Sequence, residues 1–304
     1  MEKTIILGTR GSKLAMIQTG EVKNLLEEKF SDLKVEIRVI TTEGDQKADA
    51  PLSSFDGRGA FVRSLENALL NMEIDAAVHS LKDLPSNLPE GLALCASPVR
   101  EDPRDVVVAK DGSKLKSLPK NSVIGTGSER RKIQLMHIRP DFKFKTIRGN
   151  IETRLAKLDR EEYDAVIIAA AALKRLGMTS RISEYIDGSD YISAPCQGAI
   201  GIECRADDRN VASLMENIEN RNVRFCIDAE RLFISTLGMG CHTPVGAYAY
   251  HDSGGIVFQA FAARGDGKIM KKTFRAQKRT IPKKVRDLAL QFRAELHLNG
   301  KKTE

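Results

Sequence analysis

Ile6-Leu7-Gly8-Thr9-Arg10-Gly11-Ser12 reads as an apolar strand running through a Gly-Thr turn into a serine-capped helix, and Val123-Ile124-Gly125-Thr126-Gly127-Ser128 reads the same way. A second echo accompanies the first: Ile74-Asp75-Ala76-Ala77-Val78 returns as Tyr163-Asp164-Ala165-Val166-Ile167. The offsets of the two echoes differ, so this is no strict repeat, but it predicts two α/β domains of like topology. Strands are expected at 4–8, 34–42 and 75–79 with helices at 12–29 and 60–71. A second series places strands at 105–109, 122–125, 142–147 and 165–169 with helices at 128–137 and 151–160. After an apolar strand at 199–204 and helices at 207–220 and 223–236, the pattern changes. Segments 245–250, 256–263 and 268–275, separated by Asp-Ser-Gly-Gly and Arg-Gly-Asp-Gly, predict an antiparallel meander closed by a helix at 283–298. Ser97-Pro98-Val99-Arg100 reads as the crossing into the second domain and Ser193-Ala194-Pro195 as the return. Two crossings make a hinge, and a cleft between two such domains is a natural ligand site.

The chain has 304 residues, enough for two or three compact units. Its five cysteines are odd in number and form no Cys-x-x-Cys pair, so neither a disulfide framework nor a zinc site is expected, and a reducing cytoplasm fits. The apolar run at the start is too short for a signal peptide, and no stretch approaches the roughly 20 apolar residues of a membrane span. A soluble chain is expected. The net charge of +7 is spread. The one dense basic run, Lys278 to Arg286, lacks interleaved aromatics and reads as a solvated face, which argues against nucleic acid. The remaining arginines stand singly or in pairs among glycine, serine and threonine, as suits fork-shaped guanidiniums that each grip a carboxylate or phosphate of a polyanionic small molecule.

Each Gly-Thr turn leads to a helix start, where unpaired N–H groups, the positive end of the dipole and a hydroxyl make an anion seat. The first seat carries Arg10, Ser12 and Lys13, and the second Thr126, Ser128, Arg130 and Arg131. Arg148 follows a strand in Ile-Arg-Gly-Asn, with Arg154 further along, and Arg175 ends an alanine-rich segment. Asp83, beside Lys82 where a buried strand turns, is a lone carboxylate amid cations, suited to steady a cationic intermediate or shuttle a proton. Residues 45–59 form a polar, glycine-bearing loop with the character of a lid, and Phe61 beyond it could stack on an aromatic ligand. Cys241 lies in Leu-Gly-Met-Gly-Cys-His-Thr-Pro, where glycines and proline forbid regular structure and display the thiol. His79 and His242 have no recognisable partner at a known spacing.

Five segments in this order resemble the porphobilinogen deaminase (hydroxymethylbilane synthase) family: Gly-Thr-Arg-Gly-Ser-Lys-Leu-Ala (8–15), Val-His-Ser-Leu-Lys-Asp-Leu-Pro (78–85), Gly-Thr-Gly-Ser-Glu-Arg-Arg (125–131), Ile-Arg-Gly-Asn-Ile-Glu-Thr-Arg (147–154) and Gly-Cys-His-Thr-Pro (240–244). The resemblance spans nearly the whole chain. It implies two similar periplasmic-binding-protein-like α/β domains around a cleft, plus a small α+β C-terminal domain with a three-stranded antiparallel sheet. The boundaries expected are 1–98 with 199–217, then 99–198, then 218–304. It implies a transferase of porphyrin biosynthesis that joins four porphobilinogen molecules head to tail, with loss of ammonia, into hydroxymethylbilane on a dipyrromethane cofactor held by Cys241 through a thioether. Asp83 matches the catalytic aspartate. Arg10, Ser12, Ser80, Lys82, Thr126, Ser128, Arg130, Arg131, Arg148, Asn150, Arg154, Arg175 and Gln197 match cofactor- or substrate-binding positions, and Phe61 matches the stacking phenylalanine. The resemblance also implies a cytoplasmic monomer with no metal, nucleic-acid or membrane partner and a transient hand-over of product to the next enzyme. One position departs: Cys196 stands where the family has glycine before Gln-Gly-Ala, which questions the hinge dihedral. Two other readings fit parts of the chain, a noncatalytic two-lobed anion-binding module and a cysteine acyltransferase using Cys241 and His242, the latter lacking a third orienting group.

Overall fold

The computed structural model describes residues 3–42, 62–188, 191–238, 244–264 and 267–296. In chain order its elements begin with β1 (Lys3–Thr9), α1 (Lys13–Lys29), β2 (Leu33–Val39), α2 (Arg63–Leu70), β3 (Ala76–Ser80) and β4 (Leu92–Ala96). There follow β5 (Asp105–Ala109), β6 (Val123–Gly125), α3 (Glu129–Ile138), β7 (Lys143–Lys145), α4 (Ile151–Asp159), β8 (Ala165–Ala169), α5 (Ala170–Arg175) and β9 (Glu184–Tyr185). The last are β10 (Ile200–Arg205), α6 (Arg209–Glu216), α7 (Arg221–Leu237), β11 (Val245–Asp252), β12 (Gly255–Ala263), β13 (Ile269–Ala276) and α8 (Ile281–Glu295). They form two compact units, Met1–Glu101 with Gly198–Arg224, and Asp102–Gln197 with Phe225–Glu304.

The first unit is a five-stranded sheet in the order β2-β1-β3-β10-β4. β1 runs parallel to both neighbours, and β10 runs antiparallel to β3 and β4. Side chains alternate across it: Ala76 and Val78 join Leu7, Ile202, Val22 and Leu26 of α1 and Met215 of α6 in one cluster, while Ala77 joins Leu65 and Leu69 of α2 in another. Both faces are therefore covered, which is why these strands read as continuous apolar runs.

The second unit holds a sheet in the order β7-β6-β8-β5-β9, with β6 parallel to β7 and β8 and with β5 antiparallel to β8 and β9. Strand for strand this is the first sheet again, β6 standing for β1 and β8 for β3. The echoed residues do the same work in both. Asp75 Oδ2 accepts from the Ile6 amide at 2.7 Å, and Asp164 Oδ2 accepts from the Val123 amide at 2.8 Å. A Cβ on Gly8 would collide with Ile74, and one on Gly125 would lie 2.9 Å from Tyr163 and Val166, so the glycines let side chains at and just before β3 and β8 close over β1 and β6.

The same unit carries the three-stranded antiparallel sheet β11-β12-β13. Against it α7 and α8 bury Phe233, Leu237, Val285 and Phe292, and the Phe233 ring meets Phe258 and Phe292 edge-on at 5.7 and 5.6 Å. β11 joins the α/β part through the Ala247 amide, which donates to Ser193 O at 3.2 Å.

Three elements were not anticipated: β4, α5 and β9. Helix 207–220 is also shorter than expected, ending at Glu216. The expectation of no disulfide is corrected, since Cys95 and Cys204 are joined. These residues lie 109 apart in sequence and meet only because β4 and β10 pair, so no local spacing could signal them. Among the described residues no helix is long and apolar enough to cross a membrane, and no group of three or more His, Cys, Asp or Glu could hold a metal ion.

Candidate functional site

In the first unit the candidate residues gather at the carboxyl ends of β1 and β3. These strands run parallel with Leu7 opposite Ala76 and Gly8 opposite Ala77, so the turns after Thr9 and Ser80 emerge on one edge of the sheet, where open α/β sheets hold ligands. Ser12 caps α1, its Oγ accepting from the Ala15 amide at 3.3 Å, and Arg10 lies half-buried before it. Ser80 Oγ donates to Gln18 Oε1 at 2.8 Å and so ties the end of β3 to α1. Leu81–Asp83 then makes one 3-10 turn. Leu81 is buried against Gly201, where an added Cβ would come within 2.5 Å of its side chain, and the Leu81 amide donates to Ala199 O at 3.0 Å. With Leu81 anchored, Lys82 and Asp83 are displayed at the surface. A fixed carboxylate beside cations can stabilise positive charge that develops on a bound group while the cations hold its acid groups.

In the second unit the matching edge is formed by β6, β7 and β8. Thr126 is buried, its Oγ1 accepting from the Ser128 amide at 3.2 Å, and Ser128 caps α3, its Oγ accepting from the Arg131 amide at 3.4 Å. The adjacent helix start belongs to α4. Asn150 Oδ1 accepts from the Thr153 amide at 2.9 Å and from Thr153 Oγ1 at 2.7 Å, so this residue serves as a cap. Gly149 before it has φ +103°, and a Cβ there would lie 2.7 Å from the Thr153 side chain. Only glycine fits a turn this tight. Arg154 Nε donates to Gly149 O at 2.8 Å, and Arg148 is half-buried on the same loop. Arg175, half-buried, ends α5, one short helix beyond β8.

Arg130, Arg131 and Gln197 occupy a different setting. Both arginines are buried and converge on Asp105, Arg130 Nη2 donating to Oδ2 at 2.7 Å and Arg131 Nη2 to Oδ1 at 2.6 Å. Their Nη1 atoms donate to Ile192 O and Ile167 O. Gln197 Nε2 adds bonds to Asp105 Oδ1 at 3.0 Å and to Pro103 O at 2.7 Å. Burial alone would push the Asp105 carboxyl up, but the two guanidiniums overcome it and hold the group well below the usual carboxylate range. Burial, with the Asp105 charge beside it, pushes the Tyr191 phenol well above its ordinary value. In the sequence Asp105 is marked only as the first residue of a strand, because its partners are 25 to 92 residues away.

Two further buried carboxylates went unread. Glu230 of α7, fully buried, accepts from the Cys196 amide at 2.6 Å and from the Ala249 amide at 2.8 Å, and so fastens the return crossing to the three-stranded sheet. Cys196 has φ +59°, so the chain keeps a glycine-like dihedral despite the side chain. Glu203 of β10 meets His79 Nε2 at 3.1 Å, giving this histidine the partner that no spacing revealed. Phe61, Cys241, His242 and the loop at 45–59 lie outside the described residues.

The family model for the dipyromethane cofactor binding domain of porphobilinogen deaminase matches residues 5–213, and the model for that enzyme's C-terminal domain matches residues 224–297. The chain is similar to porphobilinogen deaminase of Syntrophobacter fumaroxidans, 42% identical over 98% of this chain and 96% of that one. It is also similar to the enzymes of that name from Roseiflexus sp., 44% identical over 89% of each chain, and Halalkalibacterium halodurans, 44% identical over 90% of this chain and 89% of that one. Among solved structures it is similar to the methionine-binding protein MetQ, with TM-score 0.45 and 13% identity over 73% of this chain and 92% of that one. A Salmonella typhimurium periplasmic binding protein gives TM-score 0.41 and 15% identity over 71% and 91%.

Proposed function

The chain belongs to the porphobilinogen deaminase family, and from that premise we propose how its own residues carry the reaction. The enzyme polymerises four porphobilinogen molecules head to tail, releasing ammonia, and gives the linear tetrapyrrole hydroxymethylbilane on a dipyrromethane primer. The residues present suit such a group. Each pyrrole ring carries two carboxylates; the first sheet edge offers the half-buried Arg10 and the second the half-buried Arg148, Arg154 and Arg175, each edge with a serine-capped helix start. When bound, the primer supplies the nucleophilic pyrrole carbon to which the chain is extended.

Cys241 is the assigned point of attachment. Of the other four cysteines, Cys196, Cys204 and Cys226 are buried and Cys95 is half-buried against Cys204, which supports this choice. Thr126, Ser128, Arg148 and Arg154 hold carboxylates of the primer, with Arg175 nearby. Arg130, Arg131 and Gln197, committed to Asp105, act from behind the seat by fixing the first turn of α3. Asn150 shapes the α4 start as its cap. Arg10, Ser12, Ser80 and Lys82 orient the incoming substrate, and Phe61 stacks on a ring. Asp83 faces the positive charge that develops as the substrate amine leaves as ammonia. Our division of the chain into 1–98 with 199–217, 99–198 and 218–304 assigns one of the three sheets to each domain, and a monomer in the cytoplasm completes the reading.

The observation that carries the assignment is the display of Asp83 on a turn whose buried Leu81 and hydrogen-bonded Ser80 fix it beside the Arg10–Ser12 seat. Asp83→Asn keeps the shape and removes the charge. It should lower ammonia release from porphobilinogen by at least about 100-fold, equivalent to about 2.7 kcal/mol of transition-state stabilisation. Turnover within a few-fold of wild type would remove Asp83 from the chemistry.

A further inference from the structure

β4 and β10 flank, in sequence, the whole segment 102–197 that folds in the other unit. Cys95 and Cys204 lie on these two strands with Cα atoms 6.1 Å apart, inside the roughly 4.4–6.8 Å that a disulfide spans. A bulge brings them together. The register runs Arg205 opposite Leu92, Cys204 opposite Ala93 and Glu203 opposite Leu94, then jumps to Ile202 opposite Ala96, so Cys95 is the extra residue on β4. Cys204 is fully buried with Val211 and Met215 of α6, whereas Cys95 is only half-buried. Cys95, the more exposed of the two, is therefore the sulfur a small oxidant reaches first.

We propose that Cys95 and Cys204 are a reversible thiol–disulfide site whose oxidised form closes the chain from 95 to 204 into a covalent ring containing the inserted segment. The oxidant class is a small disulfide such as oxidised glutathione. The Cys95 thiolate attacks it and expels one glutathione thiolate. The Cys204 thiolate then attacks the Cys95 sulfur and expels the second, and the two cysteine protons end on the two glutathiones. Neither cysteine belongs to the residues assigned to the reaction. The consequence is mechanical: a cross-link spanning 109 residues restricts the unfolded chain strongly and keeps β4 and β10 paired when the inserted segment unfolds or is cut.

The test uses the full-length protein equilibrated in glutathione buffers from reducing to oxidising, quenched with acid and alkylated. Trypsin should release Asp83–Arg100, which carries Cys95, and Ile182–Arg205, which carries Cys196 and Cys204. Non-reduced digests from oxidising buffers should contain these two peptides linked, with fragmentation placing the bond on Cys204. The link should be lost in reducing buffers, and the oxidised protein should melt at least ~5 °C higher. That rise should vanish in Cys95→Ala. No linked peptide in any buffer, a bond to Cys196, a bond that reducing buffer fails to open, or equal melting in both states would overturn the proposal.

Discussion

Cys196 shows how a single residue departs from local preference and persists. At φ +59° a non-glycine residue carries about 1–2 kcal/mol of strain, offset here by burial of the side chain and by the hydrogen bond its backbone N–H donates to the buried Glu230 carboxylate. Cys196→Gly relieves the strain but loses the burial and adds freedom to the unfolded chain, so these effects nearly cancel. The expected change is within about 1 kcal/mol. Cys196→Val, an ordinary exchange at most buried cysteines, places a β-branched side chain at positive φ and should cost about 2 kcal/mol or more. Denaturant midpoints for the two variants check this, and a Val variant as stable as the Gly variant would contradict the dihedral. The glycine requirement at Gly149 is of the same kind and sits inside a quoted motif, yet its cause, the Thr153 side chain, appears only when the loop is folded.

Among the elements, α3 is held less by its own apolar face than by the charges beneath its first turn. Its buried residues include Arg130, Arg131 and Gln134, and the two arginines fix it to β5 through Asp105. Removing one partner from a buried ionic cluster leaves uncompensated charge, so Asp105→Asn should cost about 3 kcal/mol or more. The pH dependence has a definite sign. Because the Asp105 carboxyl is held below its ordinary value of 3.8, its contribution is complete above that value and is lost as pH falls below it. Melting curves of wild type between about pH 5 and 2 should decline more steeply than those of the variant. Parallel declines would contradict the account. Periodicity revealed most strands and helices here because both sheets are covered on both faces. β4 was hidden because Leu-Ala-Leu-Cys-Ala has none of the β-branched or aromatic residues that mark β5 and β8, and β9 because two residues make no pattern. Asp75 and Asp164 stood in the echoes, but their shared role as acceptors for β1 and β6 needed the strands to be paired.

At the scale of the molecule, one sheet topology is used twice and a third, antiparallel sheet is added, and both parallel edges present arginine or lysine with capped helix starts. That duplication was legible in residues 6–12 and 123–128. The partners of His79, Asp105, Glu230 and Cys204 were not, because each lies 19 or more residues away on another element. The net charge of +7 agrees with a substrate and a growing product that accumulate carboxylates. Covalent priming of chain growth on Cys241 can be read from the intact mass of the denatured protein, because a thioether survives denaturation. After incubation with porphobilinogen, an adduct of at least two pyrrole units is expected on the wild type and none on Cys241→Ser. An unmodified wild type, or an adduct that persists in Cys241→Ser, would contradict it.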